Sequence, residues 1–397
     1  MKQLVIWMYL IGASGVAGAQ SFITQDMLPL TISQPGQYVV AGPLTHALAT
    51  PAISVTTNHV SIDLNGYTLR YTGVFENGGS GIFQTEAARN LVVRNGALTG
   101  WGRAADTAAI RALGDNNRFE DMRIHQCGRG LLSGRNAHLA RVHVTDISGI
   151  SEPIGIFTGV NALISDSLVG DVLGTLSVGI RVGHNSVVEH CVVRNILGGT
   201  SAVGISLGSG KVQDSVLHLM FGGSQAAGIN ADHGVHVEGC AIGQVWSSVE
   251  AVGVAATTQR SRVYRSALMG VGGSASESYG IRVRSGQVVE NSVYGTLHNG
   301  VDVTTAAQVR YNALVTNNAS GVLIRGRRNV IEGNLLAGGA SAINFAGFVD
   351  NLAIRNADYS NITPFGGVGN HTADVLGSPG VDFTHPNRAT YFENVVW

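Results

Sequence analysis

A short pattern of hydrophobic and polar positions recurs along this chain. A glycine or alanine precedes an aliphatic residue, one variable residue follows, and then often another small or aliphatic residue. Successive anchors from Ile82 to Ile343 lie 20 to 28 residues apart, with a mean near 24. No segment shows the length or period of a helix, whereas β-branched pairs between glycines and small polar residues predict short strands. The aliphatic anchors are Ile53, Ile82, Ile110, Leu131, Ile156, Ile180, Ile205, Ile229, Val254, Ile281, Val301, Val322 and Ile343.

A repeat of this length is typical of a leucine-rich repeat or of a parallel β-helix. The residues between the anchors favour the β-helix, because no leucine frame with a helical return is present. A second short strand follows each anchor by about 10 residues, as in residues 187–193 and 287–293. The pattern therefore predicts an all-β solenoid of about 13 coils, which is about 58 Å long at about 4.8 Å per coil.

Two further columns are predicted from the repeat. Short polar side chains that tolerate the left-handed region are expected at a turn 9 to 13 residues after the anchors, and a run of small residues one position later is expected to point inward. The turn column is Asn95, Asp121, Asp166, His190, Asp214, Asn291 and Asn312, interrupted by Arg141, Gly239 and Arg265. The inward column is Ser167, Cys191, Ser215, Cys240, Ser266 and Ser292.

Composition narrows the class of protein. Glycine supplies 54 of 397 residues and charged residues only 13% of the chain, which excludes a charge-rich disordered protein. Lys2, the apolar run 4–11 and the small residues 17–19 fit an export signal cleaved after Ala19. We therefore expect a secreted or periplasmic protein without an integral membrane span. Cys191 and Cys240 are expected to be buried core thiols that lie too far apart for a disulfide.

Three segments, residues 33–40, 61–69 and 92–96, resemble the entry coils of bacterial secreted right-handed parallel β-helix proteins of the pectate-lyase-like superfamily. The resemblance covers residues about 30 to 356 and implies a right-handed parallel β-helix with terminal caps. The expected organisation is a signal peptide at 1–19, an N-terminal cap at 20–50, the β-helix at 51–356 and a C-terminal cap at 357–397.

Relatives in this superfamily include polysaccharide lyases, glycoside hydrolases, uronate epimerases, adhesins and tailspikes, so the resemblance leaves the activity open. The N-T-D, D-D, G-H-G and R-I-K motifs of polygalacturonase-like hydrolases are missing, and so is the D-P-H-D signature of some mannuronan epimerases. Pectate lyases gather aspartates around calcium. Asp146, Asp166 and Asp171 are the closest such cluster here; no other cofactor or metal is expected.

Alternation around each inward anchor predicts two outward columns on one long face. The first is Phe83, Arg111, Leu132, Phe157, Arg181, Ser206, Asn230, Ala255, Arg282, Asp302, Leu323 and Asn344. The second includes Asp232, Thr257, Arg284, Thr304 and Arg325. In the superfamily such a face commonly holds the glycan, and Phe83, Phe157 and Trp101 are candidates for stacking on sugars.

The candidate site lies in these outward columns. A lyase or epimerase needs a cation beside the uronate carboxylate and a group that moves the neighbouring proton. Arg282 or Arg284 could clamp the carboxylate, and Asp232 or His233 could move the proton. Asn230, Asp302, Arg181 and Arg325 are predicted to bind substrate. The competing interpretation is a solvated strand face with ordinary ion pairs.

Charge is uneven along the chain. Residues 260 to 328 carry nine arginines against Glu277, Glu290 and Asp302, a local net of +6, while the whole chain sums to −1. A basic end on a neutral rod favours an acidic polysaccharide or cell-surface glycan as partner over nucleic acid, for which no aromatic stacking motif is present. We thus expect an exported protein that binds an acidic polysaccharide, with lyase or epimerase activity left open. The alternative is a structural or adhesive surface protein, and oligomerisation is left open.

Overall fold

A computed structural model of the protein describes residues 20–74, 79–102, 107–149, 151–273, 277–366 and 371–373. The predicted export signal and residues 374–397 of the predicted C-terminal cap lie outside this range. The described chain is all-β except for a short 3₁₀ turn, Gln25–Met27, and forms a right-handed parallel β-helix of about 13 turns. The β-helical fold predicted from the repeat is confirmed.

The strands up to the middle of the chain are Ser21–Ile23, Leu30–Ile32, Gly36–Val40, Leu44–His46, Ile53–Val55, Val60–Asp63, Thr68–Tyr71, Ile82–Gln84, Val92–Thr99, Ile110–Ala112, Arg118–Cys127, Leu131–Ser133, His138–Ser148, Ile154–Thr158, Leu163–Ser165, Leu168–Val182, Ser186–Glu189 and Val192–Leu207. The remaining strands are Gly210–Gln213, Val216–Gly222, Gln225–Ala231, Val235–Glu238, Ala241–Ser247, Glu250–Tyr264, Ala267–Gly272, Glu277–Val289, Ser292–Tyr294, Asn299–Val303, Ala307–Arg310, Ala313–Val315, Ser320–Ile324, Val330–Glu332, Leu335–Ala337, Ser341–Asn344, Leu352–Ile354, Ala357–Tyr359, Thr363–Gly366 and His371–Ala373.

Each coil passes through three parallel sheets, which we name A, B and C in the order in which the chain meets them. Sheet A contains the anchors, and every predicted anchor from Ile53 to Ile343 is the register partner of the next one. The anchors are fully buried. Pairing also extends into the segment predicted as the N-terminal cap, where Leu30–Ile32 pairs with Ile53–Val55.

The glycines before the anchors are explained by close approach between coils. A Cβ built on Gly204, Gly228 or Gly253 would lie 2.5 to 2.6 Å from the carbonyl oxygen of the equivalent glycine one coil later. Real Cβ atoms do not approach an oxygen so closely, and glycine is the residue that permits it. At the anchors, the constraint that requires glycine is therefore the space between stacked backbones.

A corner in the left-handed region separates sheet B from sheet C. Asn95, Asp121, Asp166, His190 and Asp214 have φ between 46° and 57°, as predicted. The expected interruptions belong to the same column, because Arg141, Gly239 and Arg265 also have positive φ. The column is therefore set by position in the coil, and a short polar side chain is only one way to occupy it.

Three predicted column positions are wrong. The corner after Arg265 is formed by Glu290 and then by Tyr311, and Asn291 and Asn312 point inward with 2% and 1% exposure. Ser292, predicted to point inward, is exposed. Residue type predicts Asn291 and Asn312 in the turn, whereas the strand register places them one position later. The inward assignment of Ser167, Cys191, Ser215, Cys240 and Ser266 is confirmed.

A ladder of buried asparagines continues this inward column. Asn312 Oδ1 accepts hydrogen bonds from the backbone N–H (2.8 Å) and the side-chain amide (3.0 Å) of Asn291. The same two contacts recur from Asn312 to Asn334 and from Asn334 to Asn356. Each side chain satisfies backbone and amide groups of the neighbouring coil, which a buried corner otherwise leaves unpaired.

The three cysteines are free, buried thiols, as predicted for Cys191 and Cys240. Burial raises the pKa of the Cys127 and Cys191 thiols to about 12 and that of Cys240 to about 11. The neutral thiol is therefore the form present at physiological pH, and these side chains serve as small apolar core residues.

We expect Asn312→Ala to lower the free energy of unfolding by about 3 kcal/mol, because it leaves a buried N–H and a buried carbonyl oxygen without partners. Chemical denaturation monitored by circular dichroism measures the loss. Asn318→Ala is the matched control, because Asn318 is exposed and lies six residues further along the same coil. Equal stability of the two variants would show that the ladder contributes nothing.

We expect the native thiols to resist Ellman's reagent, whereas the three thiols of the unfolded chain react. The raised pKa values leave stability unchanged below about pH 8.5. Stability should then fall as the pH rises toward 11 to 12, because the unfolded chain releases its thiol protons first. Rapid labelling of a native thiol would contradict its burial.

Candidate functional site

The first predicted outward column exists as a continuous row on sheet A. Strand register connects Phe83 through Asn344 in the predicted order. Most of its members are half-buried, and Asp302 is only 4% exposed. The second column, which includes Asp232, Arg284 and Arg325, follows at the A–B edge, the name used here for the turns that join sheet A to sheet B.

Arg282 lies at the centre of an ion-pair network on sheet A. Its Nε is 3.1 Å from Asp302 and one terminal nitrogen is 3.4 Å from Glu277. The other terminal nitrogen contacts Glu250. The guanidinium also stacks on the Tyr279 ring, with its carbon 3.6 Å from the ring centroid. All three nitrogens of Arg282 therefore have a carboxylate partner.

A second arginine closes the network from the next coils. Arg325 donates a hydrogen bond of 2.5 Å to the Tyr279 hydroxyl and places its Nε 3.3 Å from Asp302. Burial raises the pKa of the Asp302 carboxyl, opposed by Arg325 and Arg282, and burial also raises the pKa of Tyr279. The predicted residues Arg282, Asp302 and Arg325 are thus brought together in one cluster.

This cluster holds one more carboxylate than guanidinium, because Arg282 and Arg325 face Glu250, Glu277 and Asp302. A uronate would meet a net negative charge and would have to displace one of these carboxylates to reach Arg282. The geometry therefore favours a structural network here over a clamp for an acidic sugar.

The other predicted residues lie outside that cluster. Arg181 is four coils toward the N-terminus and pairs with Glu152 at 2.8 Å. Asn230 is half-buried two coils before Arg282 in the same column. Asp232 and His233 are exposed at the A–B edge. The ring of His233 packs edge-on against that of His184, with centroids 4.8 Å apart.

Three exposed arginines at or beside the A–B edge form what we call the arginine cluster: Arg260, Arg262 and Arg284. Arg284 directly precedes Ser285, which is the register partner of Arg260. Among the described residues, no carboxylate makes an ion pair with any of the three. Their charges are therefore available to an external anion.

The arginine cluster borders a depression of about 320 Å³. No carboxylate lines it, and the amides of Gln287 and Gln308 follow the arginines along sheet B. The lining residues are Arg260, Ser261, Arg262, Gly286, Gln287, Ala306 and Gln308. Guanidinium and amide donors around an open depression suit carboxylate or sulfate groups.

The sequence-based site contains Arg284 but omits Arg260 and Arg262. Strand Glu250–Tyr264 runs through the turn between sheets A and B, with a register shift between Ala256 and Arg260. A constant number of residues counted from the anchor therefore does not predict where these two side chains lie. The signal in the sequence is the density of arginines from residue 260 onward. It indicates the region but does not identify which of its arginines lack a carboxylate partner.

The aspartates considered for calcium occupy two different columns. Asp146 and Asp171 line a groove of about 760 Å³ on sheet C, where Asp171 accepts a 2.8 Å hydrogen bond from Asn195. Asp166 belongs to the B–C corner beside His190. Within the part of the chain that the structure describes, no group of three or more His, Cys, Asp or Glu side chains is arranged to hold a metal ion.

The proposed sugar-stacking role of Trp101 is wrong. Trp101 is fully buried, donates a 3.3 Å hydrogen bond to the carbonyl of Leu69 and packs 5.3 Å from the Tyr71 ring. Phe83 is half-buried beneath Arg111, whose guanidinium carbon lies 5.4 Å from the ring centroid. Phe157 is also half-buried.

Comparison with known proteins finds solved structures that are similar to this chain. No family model and no curated protein matches the sequence. The A-module of the mannuronan C-5 epimerase AlgE6 of Azotobacter vinelandii is similar at 10% identity and a TM-score of 0.37, over 88% of this chain and 92% of that one.

Two further structures are similar. The periplasmic alginate epimerase AlgG has 11% identity and a TM-score of 0.33, over 87% of this chain and 83% of its own. Tailspike protein 3 of bacteriophage CBA120 has 11% identity and a TM-score of 0.31, over 91% and 52%. Within the described residues, no helix is long and apolar enough to cross a membrane.

We expect Arg282→Met to destabilise the fold by about 2–3 kcal/mol, because it removes a partner from buried Asp302 and from two further carboxylates. The loss should shrink at acid pH as the Asp302 carboxyl, whose pKa is raised by burial, becomes protonated. Thermal unfolding across this pH range measures the effect. Arg284→Met removes the same charge two residues away and should leave stability unchanged; equal losses would contradict the network.

Proposed function

We propose that the protein binds an acidic polysaccharide at the arginine cluster. The observation that carries the proposal is the contrast between paired and unpaired arginines in the basic part of the chain. Arg265, Arg310 and Arg327 have carboxylate partners, as do Arg282 and Arg325. Arg260, Arg262 and Arg284 have none among the described residues, and two of them line the depression beside the A–B edge.

Exposed guanidinium groups of one sign, gathered without carboxylates, attract anions because no neighbouring charge cancels their field. A planar guanidinium also matches a carboxylate or sulfate bidentately. Gln287 donates a 3.3 Å hydrogen bond to Gln308 Oε1, and the side-chain amide of Gln308 adds a neutral donor suited to sugar hydroxyls. The site therefore offers charge recognition at one side and neutral hydrogen bonding at the other.

A polymer suits this surface better than a small anion. Successive coils repeat at about 4.8 Å, so side chains at equivalent positions form a row along the rod. Exposed Arg328, at the A–B edge in a later coil, continues the positive row beyond Arg284. A chain of uronate units lying along the edge could contact several cations at once, which raises affinity through multivalency.

Replacing Arg260, Arg262 and Arg284 by alanine should weaken binding to polymannuronate or polygalacturonate about 10- to 100-fold. Each exposed charge contact contributes about 0.5–1 kcal/mol, and about 1.4 kcal/mol corresponds to tenfold in Kd. Affinity electrophoresis and titration calorimetry measure the change, and binding by the wild-type protein should weaken as salt is added.

The control variant replaces Arg94, Arg118 and Arg141, which are exposed arginines with carboxylate partners far from the cluster. It removes the same total charge. Retained binding in the control with loss in the cluster variant supports the site. Equal losses would assign binding to net charge alone, and no binding by the wild-type protein to any polyanion would favour the structural or adhesive alternative.

Processing of the bound polymer extends this proposal. Asp232 and His233 lie on the same edge as Arg284, two coils nearer the N-terminus, and are the predicted groups for proton transfer. Eliminative cleavage would produce an unsaturated uronate with new ultraviolet absorbance. Its appearance in the wild type and loss in His233→Ala would extend the function to a lyase; binding without an unsaturated product would exclude the lyase.

A further inference from the structure

The outward face of sheet C carries a continuous apolar surface in the C-terminal half of the rod. Seven large side chains on it are 40 to 58% exposed. Phe221 and Trp246 are register partners in adjacent coils, and so are Met269 and Tyr294. We call this surface the apolar face; its large members are Val216, Phe221, Trp246, Met269, Tyr294, Leu335 and Tyr359.

The apolar face has no charged side chain pointing outward from its strands. These strands are Val216–Gly222, Ala241–Ser247, Ala267–Gly272, Ser292–Tyr294, Ala313–Val315, Leu335–Ala337 and Ala357–Tyr359. Their only Asp, Glu, Lys or Arg is Asp358, which is buried and points inward. His218 lies at the N-terminal end of the face. Between the large residues stand small ones, such as Ala241, Gly243 and Ala267, which keep the surface flat.

The exposed area is large enough for a stable protein interface. Each of the seven side chains exposes about half of a large apolar or aromatic group, which is about 100 Å² apiece and about 700 Å² together. Isolated exposed apolar residues need no explanation, but a contiguous patch of this size is rare on a monomer. A standard interface buries about 800 Å² per partner.

We infer that the apolar face is the contact between two copies of this chain. An uncharged surface gives an oppositely charged partner nothing to recognise, whereas two such faces meet without like-charge repulsion and without leaving a charge unsolvated. Self-association interfaces are the most apolar class and are depleted of charge at their centre. The arginine cluster stands at the A–B edge, so pairing through sheet C leaves it open to ligand.

Size-exclusion chromatography with light scattering and sedimentation velocity test the inference. The wild-type protein should assemble into dimers or larger closed assemblies. The double variant Phe221→Glu/Trp246→Glu should be a monomer, because each charge would be desolvated at the centre of the contact. Its circular dichroism and melting temperature should match those of the wild type, because both side chains point to solvent.

Tyr311→Glu is the matched control. Tyr311 is 58% exposed at the B–C corner, and the same corner position one coil earlier already holds a glutamate, Glu290. This variant should assemble like the wild type. A monomeric wild-type protein, assembly that survives the double variant, or equal disruption by Tyr311→Glu would overturn the inference. Binding of neutral glycans or lipid vesicles by a monomeric wild type through Trp246 would assign the face to that other partner.

Discussion

Backbone hydrogen bonding between successive coils is the constraint on which the structure depends. Each coil donates and accepts along three parallel sheets, so equivalent residues of neighbouring coils superpose about every 4.8 Å. Any side chain therefore has its column neighbours as its nearest long-range contacts. The buried asparagine ladder, the left-handed corner and the glycines beside the carbonyls are three consequences of this one repeat.

The same superposition decides which charges are free. Asp302 stands directly beside Arg282 in its column and is reached by Arg325 from the next coil. Two carboxylates of the basic region, Glu277 and Asp302, are thereby paired on sheet A, whereas Glu290 lies at the B–C corner. Among the described residues, Arg260, Arg262 and Arg284 have no carboxylate partner, so a region of high arginine density divides into a neutralised network and an open cation site.

The sequence predicted those parts of the fold that depend on period. The anchors and the first outward column follow from counting residues, and their register is confirmed. Counting failed where residue type outweighed position, as at Asn291 and Ser292, and where a strand shifts register, as before Arg260. It also could not foresee that Glu250 and Glu277 would close around Arg282, because that contact depends on side-chain reach across coils.

Arginine-specific labelling with phenylglyoxal, read by mass spectrometry with and without a polyuronate, tests the central claim most directly. The account predicts that Arg260, Arg262 and Arg284 react readily in the free protein and are protected by the polymer. Arg94, Arg118 and Arg141 should show no change. Protection spread equally over both sets, or absent from the arginine cluster, would contradict it.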